Sequence, residues 1–376
     1  MSQLPLRALI PNPVKCVGAL HLEHTETGIR PHRLPHWTQS QVPDGLRVMS
    51  RMPSGVRLQF QTESESVGID LLVTRMTGQS KASVNLEYED HLLEVEVTRG
   101  NSIVLDSSTK EGYRVERGNS EVVWFQELGS ELKNLQVWLP HNAFVELRSL
   151  HVDNKASLAR YSDSRPRWVH YGSSISHCME AQMPAETWPA VAARRLHFSL
   201  INMGFGGQCH LDPFVARSIR DLDAELISLK VGINIVNMDS LRERVFVPLL
   251  NGFLDTIRER HRTTPLVLCS PIYCPSAETQ SGPTIPNEDG KFITVEGFDA
   301  LRQGCLTLER IRTLIEEVVD VRKNQGDLNL YYMNGLELFG SSDADDLPDD
   351  LHPNPAGYIR IGERFAEKVR ETGLFS

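Results

Sequence analysis

Hydrophobic residues in the first part of the chain recur at every second position. Val56, Leu58 and Phe60 are spaced by two, as are Val67, Ile69 and Leu71, then Val84, Leu86 and Tyr88. Leu135, Val137 and Leu139 continue the series, and Val145 and Leu147 close it. A period of two sends alternate side chains to opposite faces of an extended chain, one buried and one wet, as in antiparallel strands. Asp44-Gly45, Ser54-Gly55, Arg99-Gly100-Asn101 and Arg117-Gly118-Asn119 read as the turns between these runs. No strong helical period interrupts them. Residues 1–155 are therefore expected to form an antiparallel β-sandwich domain of about eight strands, jelly-roll-like in outline.

The pattern changes after "DNKASLARYSDSRPR", a polar stretch that reads as a linker. Near-continuous apolar runs at 168–171, 200–203, 226–231, 266–269 and 328–333 now alternate with amphipathic stretches. Two helix starts are marked by a capping residue ahead of proline: Asp212-Pro213 and Asn354-Pro355. Strand–helix alternation with fully apolar strands predicts an α/β domain over 165–376, a doubly wound parallel sheet covered on both faces. Ligands in such sheets bind at the carboxyl ends of the strands, so the chemistry is sought just after each apolar run.

Four strand ends carry usable residues. Gly172-Ser173-Ser174-Ile175 follows the first, Asn202-Met203-Gly204-Phe205-Gly206-Gly207 the second, Gly232-Ile233-Asn234 the third, and Asp349-Asp350-Leu351-His352 precedes the final helix. A serine at a tight strand-to-loop turn can hold its hydroxyl above the sheet, with Gly172 removing the side chain that would crowd it. That hydroxyl needs a base, for which His352 is the candidate. A carboxylate such as Asp349 suits the imidazole's need for one tautomer and for compensation of its charge. Pro353 disfavours helical angles at His352 and so restricts where the ring points. The backbone N–H of Gly207, the side-chain amide of Asn234 and the serine's own N–H could supply an oxyanion hole.

These blocks, "GSSI", "GFGG", "GIN" and "DDLH", resemble those of the SGNH/GDSL superfamily of serine hydrolases and acyltransferases, over about residues 165–376. The resemblance implies a three-layer α/β/α fold. It makes Ser174 the nucleophile, Ser174, Gly207 and Asn234 the oxyanion donors, Asp349 the orienting acid and His352 the base. Ser173 stands where the family motif usually has aspartate, a position outside the family's triad, and is read as a turn serine. Ser176 occupies the place of the second glycine of Gly-x-Ser-x-Gly, and Asp and His lie three apart, so an ordinary α/β-hydrolase is disfavoured. A β-sandwich ahead of this domain looks like the GDSL-family acyltransferases of bacterial natural-product pathways. The expected reaction is transfer of an acyl group, an aryl group such as salicyl from a coenzyme A thioester, to a polyketide hydroxyl. An esterase acting on small-molecule or carbohydrate acyl esters is the alternative, and an inactive carbohydrate-binding relative a further one.

Bulk properties narrow the partners. The 376 residues include 39 Lys and Arg against 49 Asp and Glu, a formal charge of −10, which argues against a nucleic-acid partner. No run approaches the ~18 apolar residues of a membrane span. Pro11, Pro13 and Lys15 break the first apolar stretch, a poor signal peptide, and six scattered cysteines fit free thiols in a cytoplasmic protein. Neither a metal nor a resident cofactor is expected. His21 and His24, three apart on a strand, face opposite sides and do not share a metal. Cys178 and Cys209 read as buried hydrophobes, His177 and His210 as packing or pocket-lining residues, and Asp350 as a solvated neighbour of the acid. Trp37, Trp124 and Trp138 are assigned mainly to core packing rather than to a ligand platform. The long Pro- and Gly-rich stretch 274–290 is the candidate lid or binding loop.

Overall fold

The computed structural model describes residues 1–78, 81–295 and 301–373, so residues 79–80 of the expected sandwich and 296–300 and 374–376 of the expected catalytic domain lie outside the described residues. Two compact units emerge. One comprises Met1–Gln39, Arg47–Ser164 and Ala181–Thr187, the other Ser40–Leu46, Arg165–Glu180 and Trp188–Ser376.

The first unit contains an eight-stranded and a six-stranded sheet. Their pairings are antiparallel except where 74–76 run parallel to 101–103. The alternation read from the sequence is the core: Leu58, Phe60, Leu135, Val137, Val84 and Leu86 from one sheet meet Val67, Ile69, Leu71, Val73, Val145 and Leu147 from the other. In the strand Phe144–Val152 the register shifts between Leu147 and Ser149, opposite Leu71 and Asp70. This bulge moves the apolar phase by one residue, so that Leu150 and Val152 join Leu147 inside. The strands exceed the expected eight because short ones such as Ser2–Pro5, His21–His24 and Leu158–Ala159 lack a buried apolar series.

Two local expectations change. Asp44-Gly45 opens the helix Asp44–Ser50 instead of a turn, its carboxylate in the first turn where the helix dipole favours it. The stretch read as a linker is stitched to the sandwich: Leu158 and Ala159 pair with Thr62 and Gln61, and Thr62 Oγ1 donates to the Ser157 carbonyl at 2.7 Å. Of the tryptophans, Trp138 is buried with the Arg57 guanidinium 4.8 Å from its ring centroid, Trp124 is half-buried and Trp37 is exposed.

The second unit is built on a five-stranded parallel sheet of Arg167–Gly172, Ser199–Gly204, Leu226–Lys230, Leu266–Cys269 and Leu330–Met333. Numbered along the chain, these strands lie in the order 2-1-3-4-5. Their near-complete burial follows from helices on both faces. Trp168 stacks on Phe365 of the helix Pro355–Glu371 at 5.0 Å, whereas Tyr171, three positions on and on the opposite face, stacks on Phe253 of the helix Glu243–Arg258 at 5.4 Å. This is the three-layer α/β/α arrangement of an SGNH-like domain. Both anticipated helices start at their prolines. Asn354 Oδ1 accepts from Gly357 N at 2.9 Å, but Asp212 makes no side-chain cap bond, and burial raises its pKa. No helix among the described residues is long and apolar enough to cross a membrane.

Candidate active site

The first strand ends at Gly172, and a one-turn helix, Ser174–His177, follows. Ser173 caps it: its buried hydroxyl accepts from Ile175 N at 3.3 Å. The turn sits close to the sheet because two glycines allow it. A Cβ at Gly172 would meet Ser176 Oγ at 2.2 Å, and one at Gly204 would meet the Ser176 carbonyl carbon at 2.4 Å. Asn202 holds the turn from the second strand, its amide donating to Ser176 O at 3.0 Å while its Oδ1 accepts from Gly204 N at 2.9 Å. Sequence reading passed over Asn202, although it opens the second strand-end block.

Behind the turn runs a buried chain of side chains. Trp168 Nε1 donates to Ser228 Oγ at 2.8 Å, and Ser228 Oγ lies 2.7 Å from His170 Nδ1. On the other side of the ring, His170 Nε2 lies 2.8 Å from Ser176 Oγ, so the imidazole bridges Ser228 and Ser176. Burial, aided by the charge of Lys230, pushes the His170 pKa down to about 3 and keeps the ring neutral.

Ser174 faces away from this chain. Its Oγ lies 2.9 Å from His352 Nε2, although 178 residues separate the two. His352 Nδ1 lies 2.7 Å from Asp349 Oδ2. The other oxygen of Asp349 accepts from the backbone N–H groups of His352 at 2.6 Å and Leu351 at 3.0 Å. Burial alone would lower the pKa of His352. The Asp349 hydrogen bond, the nearby Glu180 charge and the Asp349 charge together outweigh it, and the pKa lies above the usual value. Asp349 moves the other way: burial raises its pKa, but the bond and charge of His352 and the two backbone donors bring it below the ordinary carboxylate range. Glu180 is held by Tyr358, whose hydroxyl donates to its carboxylate at 2.7 Å. Asp350 forms an ion pair with Lys291 at 3.1 Å.

Gly207 sits on the loop after the second strand, and Asn234 in the short helix Ile233–Asn237 after the third. Gly207 has φ +68°, a left-handed conformation that favours glycine, while the space around its missing Cβ is open. His210 links the Gly207 carbonyl, 3.1 Å from Nε2, to Ser240 Oγ, 3.0 Å from Nδ1. Since a carbonyl only accepts, Nε2 carries the proton. Asn234 Oδ1 accepts from Cys209 N at 3.0 Å, which leaves the amide NH2 as the group it can offer elsewhere. Gly207 and Asn234 follow the two strands that flank the Ser174 strand in the sheet.

The remaining candidates fall into packing positions. His177 is fully buried, and burial raises the thiol pKa of Cys178 well above normal and that of Cys209 to about 12. His21 packs against His32 and His36, with centroids 5.4 and 4.7 Å away. Among the described residues, no group of three or more His, Cys, Asp or Glu is placed to hold a metal ion.

A doubly wound sheet with serine, imidazole and carboxylate hydrogen-bonded in series at its carboxyl edge can transfer acyl groups through a covalent intermediate. Residues 166–280 match the model of the GDSL-like Lipase/Acylhydrolase family, and residues 14–148 match that of the SsfX3 N-terminal domain. The chain thus carries a GDSL-like lipase/acylhydrolase domain with an SsfX3-type N-terminal domain ahead of it. It is accordingly an enzyme of the hydrolase–acyltransferase kind. Its structure is similar to that of the salicylyl-acyltransferase SsfX3 from a tetracycline biosynthetic pathway, with 27% identity and a TM-score of 0.81 over 99% of this chain and 97% of that one. A GDSL-like lipase candidate from Bacteroides ovatus ATCC 8483 shares the fold at 17% identity and TM-score 0.70, covering 100% and 98% of the two chains. So does a family two carbohydrate esterase from Clostridium thermocellum, at 13% and 0.62, covering 97% and 100%. No curated protein matches the chain in sequence.

Proposed function

We propose that this chain is a serine acyltransferase, with an acyl-enzyme on Ser174 and a hydroxyl of a small-molecule acceptor as the final recipient. The observation that carries the reading is the series Ser174 Oγ, His352 Nε2, His352 Nδ1, Asp349 Oδ2, with links of 2.9 and 2.7 Å. His352 takes the Ser174 proton as Oγ attacks the donor carbonyl, then returns it to the leaving group. In the second half-reaction the acceptor hydroxyl attacks the acyl carbon and gives its proton to the same nitrogen, regenerating Ser174. The N–H groups of Ser174 and Gly207 and the Asn234 amide are assigned to the oxyanion, each donor worth about 3–4 kcal/mol in the transition state. Asp349 holds the tautomer and offsets the imidazolium charge.

The likeness to SsfX3 along nearly the whole chain favours transfer over hydrolysis, with a coenzyme A thioester of an aryl acid such as salicylate as donor and a polyketide hydroxyl as acceptor. Hydrolysis of small or carbohydrate esters shares every step up to the acyl-enzyme and differs only in the attacking hydroxyl. Ser174→Ala is expected to abolish fluorophosphonate labelling, thioester cleavage and ester formation, while Ser173→Ala, which loses only a cap bond, retains most of each. Equal loss in the two variants would remove Ser174 from its role. With an acyl-CoA panel and alcohol acceptors, ester is expected to outpace free acid. Free acid forming at one rate with or without acceptor would leave the enzyme an esterase.

A further inference from the structure

The stretch that follows the fourth parallel strand contains a β-hairpin. Thr284–Pro286 pairs antiparallel with Phe292–Thr294, Ile285 lying opposite Ile293. Upstream, Arg312 anchors the segment by pairing with Glu278 and by donating to the carbonyls of Pro271 and Ile272 at 3.0 and 3.1 Å.

The hairpin touches two parts of the site. At one end Thr284 Oγ1 lies 3.2 Å from Asn237 Oδ1, and a Cβ on Gly282 would meet Val236 O at 2.1 Å. Both partners belong to the short helix Ile233–Asn237 that carries Asn234. At the other end Phe292 N donates to Asp349 O at 2.8 Å, and Lys291 pairs with Asp350. The Phe292 ring meets the His352 imidazole edge to face, with centroids 5.6 Å apart and planes at 78°. The alternation of a strand separates its faces: Thr284, Phe292 and Thr294 make these inward contacts, Thr294 donating to Ser276 O at 2.6 Å. Ile285 and Ile293 are left 47% and 43% exposed on the other face.

We infer that Phe292 is a specificity-determining residue that sets whether water or an apolar, aromatic alcohol receives the acyl group. This rests on the acyl-enzyme reading of Ser174. The attacking hydroxyl in the second half-reaction must come within hydrogen-bond reach of His352 Nε2. Phe292 occupies space against that same ring and offers no hydrogen bond to fix a water there. An aromatic acceptor, by contrast, gains an aromatic contact and displaces loosely held water. The backbone bond to Asp349 and the Lys291–Asp350 pair hold the ring in that place.

The test loads the enzyme with acetyl from p-nitrophenyl acetate and supplies 2-phenylethanol, reading phenylethyl acetate against free acetate. Wild type is expected to favour the ester. Phe292→Ala should lower the ester-to-acid ratio about three- to tenfold, the usual worth of one aromatic pair; the ratio is the readout because any change in acylation rate affects both products alike. Phe292→Tyr, which keeps the ring but adds a hydroxyl able to hold a water, should lower it less than alanine does. Phe292→Leu, which preserves apolar packing without the ring, should lower it as alanine does and serves where the alanine variant does not fold. An unchanged ratio in the variants, ester and acid falling together, or no ester from wild type would overturn the inference. Failure of the acyl-enzyme reading shows separately, as labelling and acetyl release that survive Ser174→Ala.

Discussion

Replacing Asp349 by asparagine keeps size and shape, so its effect on rate isolates what the carboxylate does. Asp349 accepts three hydrogen bonds: from His352 N at 2.6 Å, from Leu351 N at 3.0 Å, and on its other oxygen from the His352 ring at 2.7 Å. An asparagine satisfies both backbone donors only with its carbonyl oxygen facing them, which turns its NH2 toward Nδ1. Nδ1 must then accept, and the ring's proton moves to Nε2, the nitrogen 2.9 Å from Ser174 Oγ. A protonated Nε2 cannot take the serine proton. In a Ser-His-Asp enzyme where this substitution left the geometry intact, the wrong tautomer lowered kcat about 10⁴-fold, which corresponds to about 5 kcal/mol. A loss of that order is expected here.

The same variant has a second signature. The His352 pKa lies above its usual value because contributions from Asp349 and Glu180 outweigh burial. The imidazole acts as a base only when neutral, so kcat/KM of the native enzyme should rise with pH through a limb above the ordinary histidine value of about 6.5. Removing the Asp349 charge leaves burial opposed by Glu180 alone, and the limb should move to lower pH. The assay is kcat/KM for a p-nitrophenyl ester from pH 5 to 9, with fluorophosphonate labelling rate as a second readout. A loss smaller than tenfold with the acid limb unmoved would refute the role given to Asp349 and with it the ordering of the series.

Two predictions concern stability. His170 is kept neutral by burial and by Lys230, with a folded pKa of about 3. Against an unfolded value of about 6.5, its stabilising share is intact above that pH and is lost as pH falls toward 3, by up to about 1.4 kcal/mol per pH unit; His170→Gln should flatten the acid side of a Tm-against-pH curve, and superimposable slopes would count against it. Glu278→Ala strips the two bonds of 2.7 and 2.8 Å from the largely buried Arg312 and should lower stability by about 3–5 kcal/mol in urea unfolding, a loss under 1 kcal/mol showing that solvent reaches the guanidinium.

The parts of the fold legible in the sequence are those where burial has a period. The series through Phe60, Ile69, Leu86 and Val137 became the sandwich core, and the apolar runs became the parallel strands. Strands without such a series escaped: His21–His24 and Leu158–Ala159 are half-buried edges whose hydrogen bonds leave no mark in side-chain pattern. Asp44-Gly45 misled because one dipeptide serves both turns and helix starts, and the glycine is used for close approach, its Cβ position lying 2.8 Å from Gln208 Nε2. The hairpin was hidden for a related reason. A Pro- and Gly-rich segment signals a loop, while two three-residue strands pinned from outside carry no periodic signal of their own.

The candidate site was legible for a different reason, since its residues are set by chemistry at strand ends rather than by burial. What one sequence cannot express is strand order. In the order 2-1-3-4-5 the chain reverses direction across the sheet between its first and third strands, the switch point where open α/β sheets bind ligands. Gly172 and Lys230 are neighbours in register there. The loops that lead into the short helices of Ser174 and Asn234 consequently start side by side, with no residue in either loop encoding the proximity. Their placement is a property of the sheet, so substitutions within one loop should alter the chemistry of its own residue and leave the approach of the two loops intact. His352 differs: it comes from a segment 178 residues after Ser174, its ring is bonded by its near neighbour Asp349, and the Phe292 ring packs against it while Phe292 N bonds the Asp349 carbonyl. His352 is therefore the member of the series whose position depends most on residues outside the sheet, and the hairpin is where that dependence can be tuned without touching Ser174.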